Sequence, residues 1–160
     1  VATDRLLDAL LVGEVDFVIV GGVAAVLHGS TLLTRDLDIC IPLGASNLLR
    51  LQSALRELHP RVRAGAGVIP LDLDEAHAAA LKNLYVTTDD GRLDCLGQVA
   101  GIGGFDDVLA LSESVDLGGR SCRVLGIDGL IRAKEAMGRP HDLVTVAQLK
   151  AIREKGQPPT

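Results

Sequence analysis

The segment DFVIV, residues 16–20, runs straight into Gly21-Gly22. An apolar run of four, mostly β-branched, after Asp16 and closed by two glycines reads as a short buried strand. Residues 22–28 can start a helix immediately after it, ending near Gly29. The next segment, RDLDICI at 35–41, alternates acidic and apolar residues. On a strand, period two places Asp36 and Asp38 on one face and Leu37, Ile39 and Ile41 on the other. A buried strand, a glycine turn, a helix and a second strand thus follow one another within a few dozen residues. That order demands a sheet with helices packed against it.

The remaining elements fit the same class. Residues 3–12 form an amphipathic helix with Leu6, Leu7, Leu10 and Leu11 at helical spacing. Ser46 is expected to cap a helix through Leu58, whose stripe is Leu48, Leu51, Leu55 and Leu58, and Pro60 stops it. Residues 61–80 carry no clear pattern. Strands are expected at 84–88 and 92–96 around an Asp89-Asp90-Gly91 turn, a short helix at 105–111, and a hairpin of 115–117 with 121–125. Asp128 is expected to cap a helix to Met137, and Pro140 to open a last helix to Arg153. The expected architecture is α+β: a small mixed sheet flanked by helices, with a C-terminal helical pair. Residues 1–155 would form a single domain and 156–160 a frayed tail.

Three groups could carry chemistry. Gly21-Gly22 allows a tight turn and the close approach of a phosphate to backbone N–H groups, though a plain turn needs the same residues. It is no dinucleotide fingerprint, since GGVAAVLHG lacks G-x-G-x-x-G, and no Gly-Lys-Ser/Thr follows as in a P-loop. Asp36-x-Asp38 places two carboxylates side by side. They repel unless a hard cation such as Mg²⁺ or Mn²⁺ sits between them, and the alternative is a solvent-facing edge. Asp94, in GRLDCL, is either paired with Arg92 or Arg35 or is a third site acid. If its strand lies beside Asp36-x-Asp38, the three could build a two-metal site for nucleotidyl transfer.

The segments VGGVAAVLHGSTLLTRDLDICI, TTDDGRLDCLGQVAGIGGFDDVL and LGIDGLIRAKEAMGRPHDL together resemble the DNA polymerase beta-type nucleotidyltransferase superfamily. The similarity is to its minimal branch, related to the AbiEii-type and MNT-type toxin enzymes, and extends over roughly residues 14–152. It implies Mg²⁺ (or Mn²⁺) held by Asp36, Asp38 and Asp94 as metal-binding and catalytic acids. It also implies an NTP as substrate, bound by Gly21, Gly22, Lys134 and Arg139, with Asp142 fixing the last helix or an arginine. The acceptor could be tRNA, a protein or a small molecule, and an antitoxin partner is implied for a toxin. Two positions depart from the branch. Leu32 or Leu33 stands where it commonly has an arginine, and His141 replaces the lysine of Arg-Pro-Lys-Asp. A non-catalytic nucleotide-binding or partner-binding protein of the same fold is the alternative.

Composition narrows the field further. With two Phe, one Tyr and no Trp, the core must be aliphatic, and a base-stacking platform is excluded. Residues 1–116 hold 17 acidic and 8 basic side chains, whereas residues 117–160 hold 4 and 8. An acidic chain is a poor general nucleic-acid binder, while its basic end could hold a few phosphates. Cys40, Cys95 and Cys122 are too scattered for a disulfide framework or zinc site. His28 is expected to be a packed helix residue. The longest apolar run, Phe17 to Leu27, is too short to span a bilayer, and nothing resembles a secretory leader, so a cytoplasmic location without membrane attachment is expected.

Overall fold

The computed structural model describes residues 2–65 and 67–156. The strands are β1 (Val18–Val20), β2 (Leu37–Cys40), β3 (Arg61–Ala64), β4 (Gly67–Pro70), β5 (Asn83–Thr88), β6 (Gly91–Leu96), β7 (Gln98–Val99), β8 (Gly103–Gly104), β9 (Ser112–Leu117) and β10 (Arg120–Leu125). The helices are α1 (Ala2–Val12), α2 (Gly21–Leu27), α3 (Ala45–Ala54), α4 (Glu75–Ala80), α5 (Phe105–Ala110), α6 (Ile127–Met137) and α7 (Pro140–Gly156), with a 3₁₀ turn at Arg56–Leu58. Eight strands form one sheet in the order β4-β3-β5-β6-β2-β1-β10-β9, and β7 pairs with β8 apart from it. The pairs β1–β10 and β2–β6 are parallel and the others antiparallel. The class is α+β with a mixed sheet, as expected.

The central strand β1 has no exposed residue, because strands and helices cover both its edges and both its faces. Its unbroken Val-Ile-Val run follows from that position. On β6 the apolar Leu93 and Cys95 are buried and alternate with Arg92 and Asp94, which point to the other face. The stripe Leu48, Leu51, Leu55 and Leu58 is buried as its spacing predicts. The largest fully buried side chains are all Leu or Ile, and Phe17 is the one buried aromatic among the described residues. Dispersion contacts among aliphatic groups therefore hold this core together.

Several boundaries differ from expectation, each for a local reason. β1 starts at Val18, not Asp16, because the Asn47 side chain takes over the backbone of Asp16: its Oδ1 accepts from the Asp16 N–H at 2.8 Å and its Nδ2 donates to the Asp16 carbonyl at 3.0 Å. β2 starts at Leu37, so Asp36 precedes the strand. Its neighbour β1 ends at Val20, opposite Asp38, and the chain then turns into α2. Ser46 does not cap α3. The cap is Gly44, whose φ of 129° suits glycine alone. Asp128 does not cap α6 either. Gly126 occupies that place, and Asp128 accepts instead from Arg153 at 2.8 Å.

The sheet is also larger than the small one expected. Residues 61–80, which showed no pattern, supply the β3–β4 hairpin and α4. β3 widens the sheet by pairing with β5, and Asp74 caps α4 by accepting from the His77 N–H at 2.8 Å. Gly156 belongs to α7 rather than to a tail, and the rest of the expected tail, 157–160, lies outside the described residues.

Candidate active site

The turn from β1 into α2 and the start of β2 meet at Asp38. Val20 is its partner across β1–β2, and Gly21 follows at φ 66°. A Cβ on Gly21 would collide with the Asp38 carboxylate, and one on Gly22 would meet Thr34 Oγ1 at 2.7 Å. Both glycines are therefore required by what lies against them. Alanine at position 21 is expected to lose about 1–2 kcal/mol to left-handed backbone strain and more to the collision. Gly118, at φ 63° with nothing within 4 Å, offers the matched comparison. In urea denaturation Gly21→Ala should lose clearly more stability than Gly118→Ala. Equal losses would mean that Asp38 yields freely.

Gly22, Thr34, Asp36 and Asp38 line one wall of a cleft of about 360 Å³, and Lys134, Arg139 and His141 line the other. The cations are brought there by the α6–α7 turn. Gly138 ends α6 in the left-handed conformation, and Asp142 in the first turn of α7 gathers the groups around it. The Asp142 side chain is fully buried. It accepts from Arg139 Nε at 2.6 Å, from the Arg139 backbone N–H at 3.2 Å and from Lys134 Nζ at 3.4 Å. The Arg139 hydrogen bonds, reinforced by the Lys134 charge, bring the Asp142 carboxyl down to about 2. Asp142 thus fixes both the helix and the arginine.

Asp38 is shifted the other way. Burial first, then the charges of Asp94 and Asp36, push its carboxyl up to about 6, although Lys134 and Arg139 oppose the rise. A half-buried carboxylate crowded by two others favours a bound cation. Asp36 and Asp38 offer hard oxygens, the donor type that suits Mg²⁺ or Mn²⁺. Asp94 is the register partner of Asp38 on the parallel strand β6. Its carboxylate, however, is ion-paired with Arg63 of β3, not with Arg92 or Arg35. Among the described residues no three His, Cys, Asp or Glu side chains are gathered so as to hold a metal ion.

The structure therefore places Gly22, Asp36, Asp38, Lys134 and Arg139 around one cleft, Gly21 beneath Asp38, and Asp94 beside Asp38 but turned to Arg63. Sequence reasoning missed Thr34 and Thr145, which also line the cleft, and Arg63, which holds Asp94. The alternation Arg61-Val62-Arg63 in the unassigned segment was the available signal for the last. His28 is a packed residue whose Nε2 lies 2.9 Å from the Leu125 carbonyl oxygen. Cys40 and Cys95 are fully buried. Burial pushes the Cys40 thiol up to about 11 and raises Cys95 as well, so neither supplies a thiolate.

No family model matches the chain, and no curated protein matches its sequence. Solved structures do resemble it. The lincosamide antibiotic adenylyltransferase LnuA, solved with lincomycin bound, superposes with a TM-score of 0.65 at 14% identity, over 94% of this chain and 96% of its own. An antigenic nucleotidyltransferase-like protein from Paracoccidioides brasiliensis superposes at 0.59 and 16% identity, over 99% and 77%. ANT(2'')-Ia in complex with adenylyl-2''-tobramycin superposes at 0.52 and 17% identity, over 96% and 93%. The chain has the nucleotidyltransferase fold. No described helix is long and apolar enough to cross a membrane.

Proposed function

We propose that the protein transfers a nucleoside monophosphate from an NTP to a hydroxyl group, releasing pyrophosphate. One observation carries the reading: paired acids and paired cations face each other across a single cleft beside a glycine turn. Asp36 and Asp38 would hold a Mg²⁺ (or Mn²⁺) ion. When bound, that ion supplies positive charge to the triphosphate and to the charge that develops on it during transfer. Gly22 leaves room for Thr34 to pack against the turn at the cleft wall, where the backbone would face the phosphates, and Gly21 lets the turn pass beneath Asp38. Lys134 and Arg139, held in place by Asp142, would neutralise the departing pyrophosphate without reorganising.

The acceptor oxygen forms its bond to the α-phosphorus as the bond to the β-phosphate oxygen breaks. Asp94 lies next in the acid row and would accept the hydrogen bond of the attacking hydroxyl, orienting it and drawing off its proton. We favour a small hydroxylated molecule as acceptor, because LnuA is an antibiotic adenylyltransferase and ANT(2'')-Ia was solved with an adenylylated aminoglycoside. Transfer to tRNA or protein, a toxin role and an antitoxin partner draw no support from the cleft.

The test is pyrophosphate release with Mg²⁺ from each of the four common NTPs, against a panel of lincosamides, aminoglycosides and simpler polyols. Acceptor-dependent release by the native protein, lost in Asp36→Ala, is the expected result. Equal release by Asp36→Ala would remove the acids from the reaction. Nucleotide binding without release on any acceptor would establish the binding-only alternative.

A further inference from the structure

A row of side chains crosses the sheet from the cleft to its β3 side. Asp38 is opposite Asp94 across β2–β6, and Asp94 is opposite Tyr85 across β6–β5. Val62 is opposite Val86 on antiparallel β3 and β5, so the next position pairs Arg63 with Tyr85. Register partners share a face, and the row reads Asp38, Asp94, Tyr85, Arg63. Along it the Arg63 guanidinium passes over the Tyr85 ring, 5.7 Å from its centroid, and closes on the Asp94 carboxylate. Arg63 and Asp94 are each about three-quarters covered, and Arg63 Nε is buried without a partner.

An arginine held by a carboxylate at one end and an aromatic face along its length is a fixed positive charge. A two-cation site needs the third carboxylate, and there the Arg63 guanidinium on Asp94 Oδ1 already supplies the positive charge that a second divalent ion would bring. We propose that Arg63 is a resident counter-cation: it takes the place of a second metal ion at Asp94, so that the cleft binds a single divalent ion, at Asp36 and Asp38. The idea rests on the nucleotidyl-transfer reading of the same cleft. It makes Arg63 a positioning residue that holds Asp94 ready for the acceptor hydroxyl.

Counting ions tests it independently of turnover. Mn²⁺ is titrated into the full chain with α,β-methylene-ATP present, and free Mn²⁺ is read by electron paramagnetic resonance. The native protein should bind one ion per nucleotide-bound chain, Arg63→Lys one, and Arg63→Met two, because only the last frees Asp94. Asp94→Asn should still bind one, which keeps the idea testable should Arg63→Met fail to fold. Two ions on the native protein, one on folded Arg63→Met, or loss of the ion in Asp94→Asn would overturn the counter-cation while leaving the cleft a metal site. Mn²⁺ and nucleotide affinities in Asp36→Ala indistinguishable from those of the native protein would overturn the cleft reading and this inference with it.

Discussion

Asp38→Asn is expected to raise the melting temperature of the metal-free protein while removing its turnover. The Asp38 carboxyl sits at about 6 against an ordinary 3.8, mainly through burial and then through Asp94 and Asp36. The folded state therefore holds a proton more tightly than the unfolded chain, so metal-free stability falls as pH rises between those two values and stays low above them. The shift corresponds to roughly 3 kcal/mol, which partial solvent screening reduces to about 2 kcal/mol. Asparagine keeps the shape and removes the charge. The variant should melt about 4–8 °C higher at pH 7.5, and this part of the pH dependence should disappear. On the proposed reading Asp38 is one of two acids that would hold the metal, and its loss would forfeit several kcal/mol of transition-state stabilisation, roughly 10³-fold in rate. Calorimetry from pH 4.5 to 8, with and without Mg²⁺, checks the first half and pyrophosphate release the second. A variant no more stable than the native protein at pH 7.5 would mean that the acids are not strained without metal.

Asp142→Ala should act in the opposite sense on stability. The buried carboxylate is the shared partner of Arg139 and Lys134, and its removal leaves Lys134, largely buried, without its counter-charge. Breaking such a pair from one side costs about 3 kcal/mol, roughly 6–12 °C in melting temperature for a chain of this size. The pH window differs from that of Asp38. The Asp142 carboxyl is lowered to about 2 by the Arg139 hydrogen bonds, with a Lys134 contribution. Its stabilisation is therefore complete above the unfolded value of 3.8 and is lost as pH falls through 2. Turnover should fall chiefly through weaker NTP binding, since the two cations lose their fixed positions. Asp142→Asn, which keeps one acceptor oxygen, should recover part of both losses. A fully stable Asp142→Ala would show that the cations find other partners.

These two aspartates also show what the sequence made legible. Asp38 was visible because a period-two strand followed a strand, a glycine turn and a helix in close succession, and Asp142 because GRPHDL resembles the family's element there. Both signals are local. The Asp94–Arg63 pair was not legible, because it depends on which strand lies beside β5. Residues 61–70 lie on the edge side of the sheet, where β4 is exposed on every residue, so they lack the strong apolar alternation that reveals a half-buried strand. The cap errors at Ser46 and Asp128 have a common cause. A glycine two residues earlier started each helix sooner, and the polar side chain fell inside the first turn. Asp36 was expected within the strand and lies just before it, past the end of β1.

β1 is three residues long, and it is held between β2 and a parallel strand about a hundred positions further along the chain. A strand so short cannot persist on one antiparallel neighbour alone. Closing that distant pairing is the entropic step on which the middle of the sheet depends. Both walls of the cleft wait on it: Asp38 on β2 needs β1 beside it, and Lys134 and Arg139 lie on the segment directly after β10. A chain that lacks residues 120–125 therefore lacks the strand that seats β1 on its second edge, and with it the arrangement that sets Asp36 and Asp38 across from Lys134 and Arg139.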